Sequence, residues 1–309
     1  MGGEPSRQAP KTIGQLAFDD AFPGESVGFS HALQLDDRLT YAAVADLADR
    51  LPRRSVIADT AAQPLLVPEG GPPRGVLERP GDVIRDLRNA NAWLTLLNVE
   101  DDPGMAEVMN TKLDELESEM IARWGKRGRM YDSTWGSTRN YKRVAFVFVS
   151  SPNSVTPVHF DIEHSLLMQV SGTKKVSIGR WQSDADRRHE FDRYWDGSHG
   201  RIEAVPPEET AYTVTPGQAV FIPPGTPHWV HNGPDTSLSV TLTYFTAATV
   251  REYRIEAFNE HLRRRHMKPR EPGRSAAVDT AKICAIGAWL IGRRLRTRAG
   301  SRDTDTAVG

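Results

Sequence analysis

Apolar residues recur at helical spacing from Leu39 to Leu51 (LTYAAVADLADRL), which predicts a helix. The short apolar run AWLTLLNV, from Ala92 to Val99, predicts a strand. Asp102-Pro103 then opens a long helical pattern that runs to Trp124, with proline in the first turn. From Arg143 the texture changes. Short β-rich runs follow one another at 144–150, 165–171, 174–179, 211–215, 219–223 and 237–245. Turn residues separate them, as in SPNS, SGT, TPGQ, PPGTP and NGPDTS. Such a series predicts a mainly β protein with a sandwich or barrel core and flanking helices. Residues 180–208 are charged and read as an insertion or lid-like loop. Helical patterns return after Ala247 and again over 276–296.

These patterns divide the chain. Residues 1–14 and 299–309 read as disordered tails, and 15–125 as a mixed α/β region packing on the core. Residues 126–250 read as the catalytic domain and 251–298 as C-terminal helices. The proline- and glycine-rich stretch 64–82 reads as irregular connection.

Composition narrows the function classes. Lysine plus arginine number 39 against 40 acids, a net charge of −1, so nothing favours a nucleic-acid partner. Cys284 is the only cysteine, which excludes an intramolecular disulfide and a cysteine-only metal site. The N-terminus has no apolar run, and Ile283–Ile291 is too short to cross a bilayer. Together these predict a cytoplasmic protein without a transmembrane segment. The apolar stretch Ala281–Ile291, flanked by arginines, is a candidate homodimer contact through the C-terminal helices.

The candidate chemistry lies in two segments. In Thr156-Pro-Val-His159-Phe-Asp161, residues i and i+2 of a strand share a face, so His159 and Asp161 can reach one ion. Two histidines and a carboxylate form the facial triad of non-haem iron(II), which leaves coordination positions open. The second segment supplies His228: Gly217, five residues, Pro223, one residue, Gly225, two residues, His228, three residues, Asn232. His164 follows the first segment and is an alternative ligand in a three-histidine site. His231 faces away from His228 on a strand.

The second segment matches the second motif of the cupin superfamily at every defined position. The region from Tyr141 to Thr246 resembles the JmjC-type branch of that superfamily, most of all over TPVHFDIEHSLLMQVSGTKKV. The resemblance implies a double-stranded β-helix (jelly-roll) core and the chemistry of an Fe(II)- and 2-oxoglutarate-dependent dioxygenase that uses dioxygen. It implies His159, Asp161 and His228 as metal ligands. Thr156, three residues before the first histidine, and Lys174, fifteen after it, match the family positions that bind the far carboxylate of 2-oxoglutarate. A carboxylate drawn into an apolar barrel does need a cation and a hydroxyl to offset its desolvation. Hydroxylation of a peptide or protein side chain, or of a small metabolite, is the implied reaction; demethylation is a lesser option. A cupin-like metal-binding protein without 2-oxoglutarate chemistry, whether another enzyme or a binding module, is the alternative. Tyr131 and Tyr141 are candidate additions to the carboxylate pocket. The chain departs from many members in having Thr226-Pro227 before the distal histidine.

Overall fold

The computed structural model describes residues 11–66, 79–132 and 142–288. The expected tail 299–309, most of the tail 1–14, the end of the helix expected over 276–296, and Tyr141 lie outside the described residues.

Eight strands carry the sandwich: β5 (Val144–Ser150), β6 (Val155–His159), β7 (His164–Ser171), β8 (Lys174–Gly179), β9 (Glu209–Val214), β10 (Gln218–Ile222), β11 (His228–Asn232) and β12 (Ser237–Thr246). They are dealt between two antiparallel sheets. One has the order β10-β7-β12-β5 at its centre and the other the order β6-β11-β8-β9. Consecutive strands cross between the sheets at nearly every step, the jelly-roll connection expected for this fold. The larger sheet is extended by N-terminal strands. β1 (Val27–Ser30) pairs with β10, β3 (Ala92–Leu96) with β5, and β2 (Val56–Thr60) with β3. The N-terminal region thus contributes strands to the sheet as well as helices.

Period-2 patterning explains the layers. Ala145, Val147 and Val149 of β5, Leu166 and Met168 of β7, and Val240 and Leu242 of β12 are fully buried on one face of the larger sheet. α3 (Pro103–Trp124) lies against β5 and buries Met105, Val108, Met109, Leu113, Leu116 and Met120 at helical spacing. Its start is set by Asp102, whose side chain accepts hydrogen bonds from Gly104 N and Met105 N. Between the sheets, Leu167, Val176, Ile178, Val214, Val220, Ile222 and Val230 form an aliphatic plug. Beside that plug, polar and aromatic side chains together line a cavity.

The smaller sheet has an added border. After β2 the chain leaves the larger sheet and runs beside β6: Val155 N donates to Ala61 O at 3.0 Å and Val158 N to Leu65 O at 2.9 Å.

The chain divides into two compact units. The first holds the sandwich up to Tyr244, and the second comprises 130–142 and 245–309. In the second, Phe245 and Thr246 pair with Tyr131 and Met130 (β4), and a capping box of Thr246 and Thr249 starts α5 (Ala247–Arg263). A further helix is described over 276–288. Among the described residues no helix is long and apolar enough to cross a membrane.

Candidate metal centre and its cavity

β6 and β11 are paired so that His159 and His228 face each other directly. Their ring centroids lie 4.2 Å apart. Asp161, just past the end of β6, brings Oδ2 to 3.6 Å from His228 Nε2 and 4.0 Å from His159 Nε2. One ligand atom from each residue lies within 4.8 Å of the others. In both histidines Nδ1 meets a backbone carbonyl, Pro157 O at 2.8 Å and Thr226 O at 3.0 Å. A carbonyl only accepts, so Nδ1 carries the proton and each Nε2 offers its lone pair to the shared space. Burial, with repulsion from His159, pushes the His228 imidazole down to about 4 against the opposing pull of Asp161. His228 is therefore neutral, the form that ligates metals.

The side chain between His159 and Asp161 does different work. Phe160 is fully buried, and its ring stacks on Phe191 at 4.7 Å, with Trp181 and Tyr194 at 5.7 and 5.4 Å. Phe191 and Tyr194 belong to the segment 180–208. That segment, read from the sequence as an insertion or lid-like loop, contains helix α4 (Asp184–Arg193), capped by Ser183, and a turn. The backbone anchors it as well. Phe160 N donates to Gly200 O at 2.9 Å, Gly225 N donates to Asp161 O at 2.6 Å, and Trp181 Nε1 donates to Gly225 O at 2.8 Å. A Cβ on Gly200 would fall 2.0 Å from Phe160 O, and its φ is +81°, so glycine is required at this approach. His199, just before it, has a left-handed backbone (φ 54°) and lines the cavity.

The metal cluster opens into a cavity of about 530 Å³ that also holds Thr156 and Lys174. Lys174 is 4% exposed. Its Nζ donates to Ser239 Oγ at 2.6 Å and lies 5.8 Å from the Phe148 ring centre. Burial pushes this lysine down to about 7. Lys175 points the other way and pairs with Glu209 at the surface.

His164 belongs elsewhere. Its ring is buried, stacks on Tyr244 at 4.7 Å and Phe221 at 6.0 Å, and neither nitrogen has a hydrogen-bond partner. The alternation of β7 turns Ser165 and Leu167 into the cavity and His164 away from it. Among the described residues a second acidic and histidine cluster, His189, Glu190 and Glu203, is bridged by Arg193 to both acids.

Ser239 and Thr241 escape the sequence reading, which notes only Thr243 in this strand. Their signal was present: in SLSVTLTYF the polar residues alternate with Leu238, Val240, Leu242 and Tyr244, which are fully buried. Thr241 and Thr243 line the cavity beside Ser165.

A search of curated protein sequences gives no match. Residues 130–253 match the family model described as the JmjC domain. Among solved structures, the ribosomal oxygenase YcfD of Escherichia coli, in complex with cobalt and 2-oxoglutarate, aligns at 15% identity with a TM-score of 0.46. The alignment covers 86% of this chain and 63% of that one, so this chain spans less than two thirds of its length. A second structure of E. coli YcfD aligns at 14% identity and TM-score 0.46, over 92% of this chain and 68% of its own. A variant of Bacillus subtilis oxalate decarboxylase aligns at 13% identity and TM-score 0.24, over 34% of this chain and 22% of its own. Residues 130–253 are thus similar to the JmjC domain, and most of the described strands among them lie in two antiparallel sheets.

Proposed function

We propose that the protein is an Fe(II)- and 2-oxoglutarate-dependent dioxygenase that hydroxylates a C–H bond of a peptide, a protein side chain or a small metabolite. The observation that carries this reading is one cavity holding two unlike subsites: a two-histidine, one-carboxylate cluster and a buried lysine with no acid beside it.

The donor set fits the metal. Two neutral imidazoles and one carboxylate suit a divalent first-row ion, and three protein ligands leave positions for other ligands. His159, Asp161 and His228 would hold iron(II), which when bound supplies the oxidising chemistry with 2-oxoglutarate and dioxygen. The backbone carbonyls of Pro157 and Thr226 orient the two rings. Phe160 and its aromatic neighbours hold His159 and Asp161 at their spacing from behind.

Lys174 and Thr156 would receive the distal carboxylate of 2-oxoglutarate. A buried lysine costs free energy unless an anion joins it, and the dicarboxylate is the missing partner. The hydrogen bond to Ser239 Oγ keeps Nζ aimed. A cupin reading without 2-oxoglutarate leaves this buried cation without a task.

The test is succinate formation. Purified protein with iron(II), 2-oxoglutarate and dioxygen should release succinate slowly without any other substrate. Calorimetry should show 2-oxoglutarate binding that depends on the metal. The absence of both succinate and 2-oxoglutarate binding would rule the reading out.

A further inference from the structure

The cavity is several times larger than a five-carbon diacid needs, and its remaining wall has a distinct chemistry. β3 and β2 extend the larger sheet beyond β5. Their inward residues register across the strands: Ser239, Phe148, Thr95 and Ile57 lie in one row. Trp93, Leu97 and Phe146 flank that row, and all these side chains except Ser239 line the cavity. Trp93 and Phe146 lie 6.0 and 6.2 Å from the Phe148 ring centre. The opposite face of the same strands, Ala145, Val147, Val149, Leu94 and Leu96, is fully buried. Ile57, Trp93, Leu97, Phe146 and Phe148 are only half-buried, so apolar surface is left open inside a concave site.

One polar atom interrupts this wall. Thr95 is 4% exposed, and its Oγ1 is buried with no hydrogen-bond partner in the protein. A buried hydroxyl left unpaired costs roughly 1–3 kcal/mol, so an occupant that pairs it gains affinity and orientation. No charged side chain stands among these residues of β2, β3 and β5 that line the cavity. The cavity's acids among the described residues, Asp161 and Glu163, belong to the chain around β6 and not to this wall, so a cationic guest on the wall itself would be desolvated without a counter-ion from β2, β3 or β5.

We propose that this wall receives an aromatic ring carrying one uncharged hydrogen-bonding group, as in a phenol or an indole, stacked among Trp93, Phe146 and Phe148 with its polar atom on Thr95 Oγ1. The proposal rests on the oxygenase reading only in taking the guest to be the molecule oxidised. The ring is either a free small molecule or an aromatic residue of a peptide.

The probes are indole, phenol, toluene, N-acetyl-tyrosine amide and N-acetyl-arginine amide, titrated by ligand-observed NMR against the full chain loaded with zinc, with and without 2-oxoglutarate. Indole and phenol should bind about tenfold more tightly than toluene, and the arginine amide most weakly. A tyrosine amide that binds more tightly than phenol supports a peptide source; the reverse supports a free ring. Thr95→Val removes only the unpaired hydroxyl, which keeps the fold. It should abolish the preference for indole over toluene while toluene binding stays. Trp93→Leu should weaken every aromatic probe. Tighter binding of the arginine amide than of indole, or an unchanged indole preference in Thr95→Val, overturns the proposal. Metal-dependent 2-oxoglutarate binding without any aromatic binding removes this inference alone. Thr95-dependent indole binding without 2-oxoglutarate binding removes the oxygenase reading alone.

Discussion

Lys174 Nζ and Ser239 Oγ lie 2.6 Å apart between strands that belong to different sheets, so the cation at the heart of the cavity is held from the opposite layer. Among the described residues no carboxylate pairs with this lysine, whose Nζ hydrogen-bonds Ser239.

Lys174→Ala should weaken 2-oxoglutarate binding more than tenfold while metal binding stays. Ser239→Ala should weaken it a few-fold, since the cation remains but loses its aim. Calorimetry on cobalt-loaded protein measures both. Equal affinity in wild type and Lys174→Ala would place the co-substrate elsewhere.

The same lysine predicts a pH dependence. Burial holds its pKa at about 7 in the empty cavity, against an ordinary value of 10.5. A bound carboxylate favours the protonated form, so binding takes up a proton above pH 7. Affinity for 2-oxoglutarate should fall as pH rises through 7, approaching tenfold per pH unit. Lys174→Arg, which stays charged, should flatten the profile.

Buried His164 makes the fold sensitive to acid. Desolvation pushes its imidazole down to about 3, while the unfolded chain protonates near 6.5. The unfolded state therefore binds the extra proton between those values, and stability present above pH 6.5 is lost as pH falls toward 3. The loss at pH 5 is about 2 kcal/mol. His164→Phe keeps the stack on Tyr244 and has nothing to protonate. Urea unfolding at pH 7.5 and pH 5.0 should show a smaller difference in this variant than in wild type; the same difference in both would refute the assignment.

Metal should stabilise the wild type. A bound ion at a hundredfold excess over its Kd adds about 2.7 kcal/mol, read as a rise in Tm on adding cobalt(II). Asp161→Ala and His228→Ala should lose that rise, whereas His164→Phe should retain it. The opposite pattern would mean that the ligands have been assigned wrongly.

Gly200 and Gly197 give a paired test of the insertion's anchor. Both have positive φ, but only at Gly200 does a Cβ collide with backbone, at Phe160 O. Gly197→Ala should cost about 1 kcal/mol of conformational strain. Gly200→Ala should cost more and also weaken cobalt binding, because relief of the clash moves the strand between the ligands.

Much of this architecture was legible along the chain. Asp102-Pro103 and Trp124 bracket α3 in both readings, because a cap and a first-turn proline are local signals. The strands from Val144 to Thr246 were legible because turn residues interrupt them. Strand alternation paired His159 with Asp161, and the family resemblance added His228, Thr156 and Lys174; all five line one cavity. What escaped was non-local. The pairing of β3 with β5, and the meeting of Thr95 with Phe148, depend on strands far apart in the chain. The role of 180–208 was obscured by its charge: α4 is polar overall, and it is held through Phe191 and Tyr194 and a few backbone bonds at Gly200 and Gly225. A hydrophobicity pattern shows how much of a segment is buried, not which two rings it buries together.

Phe160 sits in sequence between two groups that look into the cavity, yet its own ring looks out toward α4. This arrangement gives the metal centre a second address on the outside of the molecule. A change on the surface of α4, far from any ligand atom, can be transmitted through one phenyl ring to the spacing of His159 and Asp161. A substitution on that helix can thus reach the candidate metal site while His159, Asp161 and His228 stay as they are.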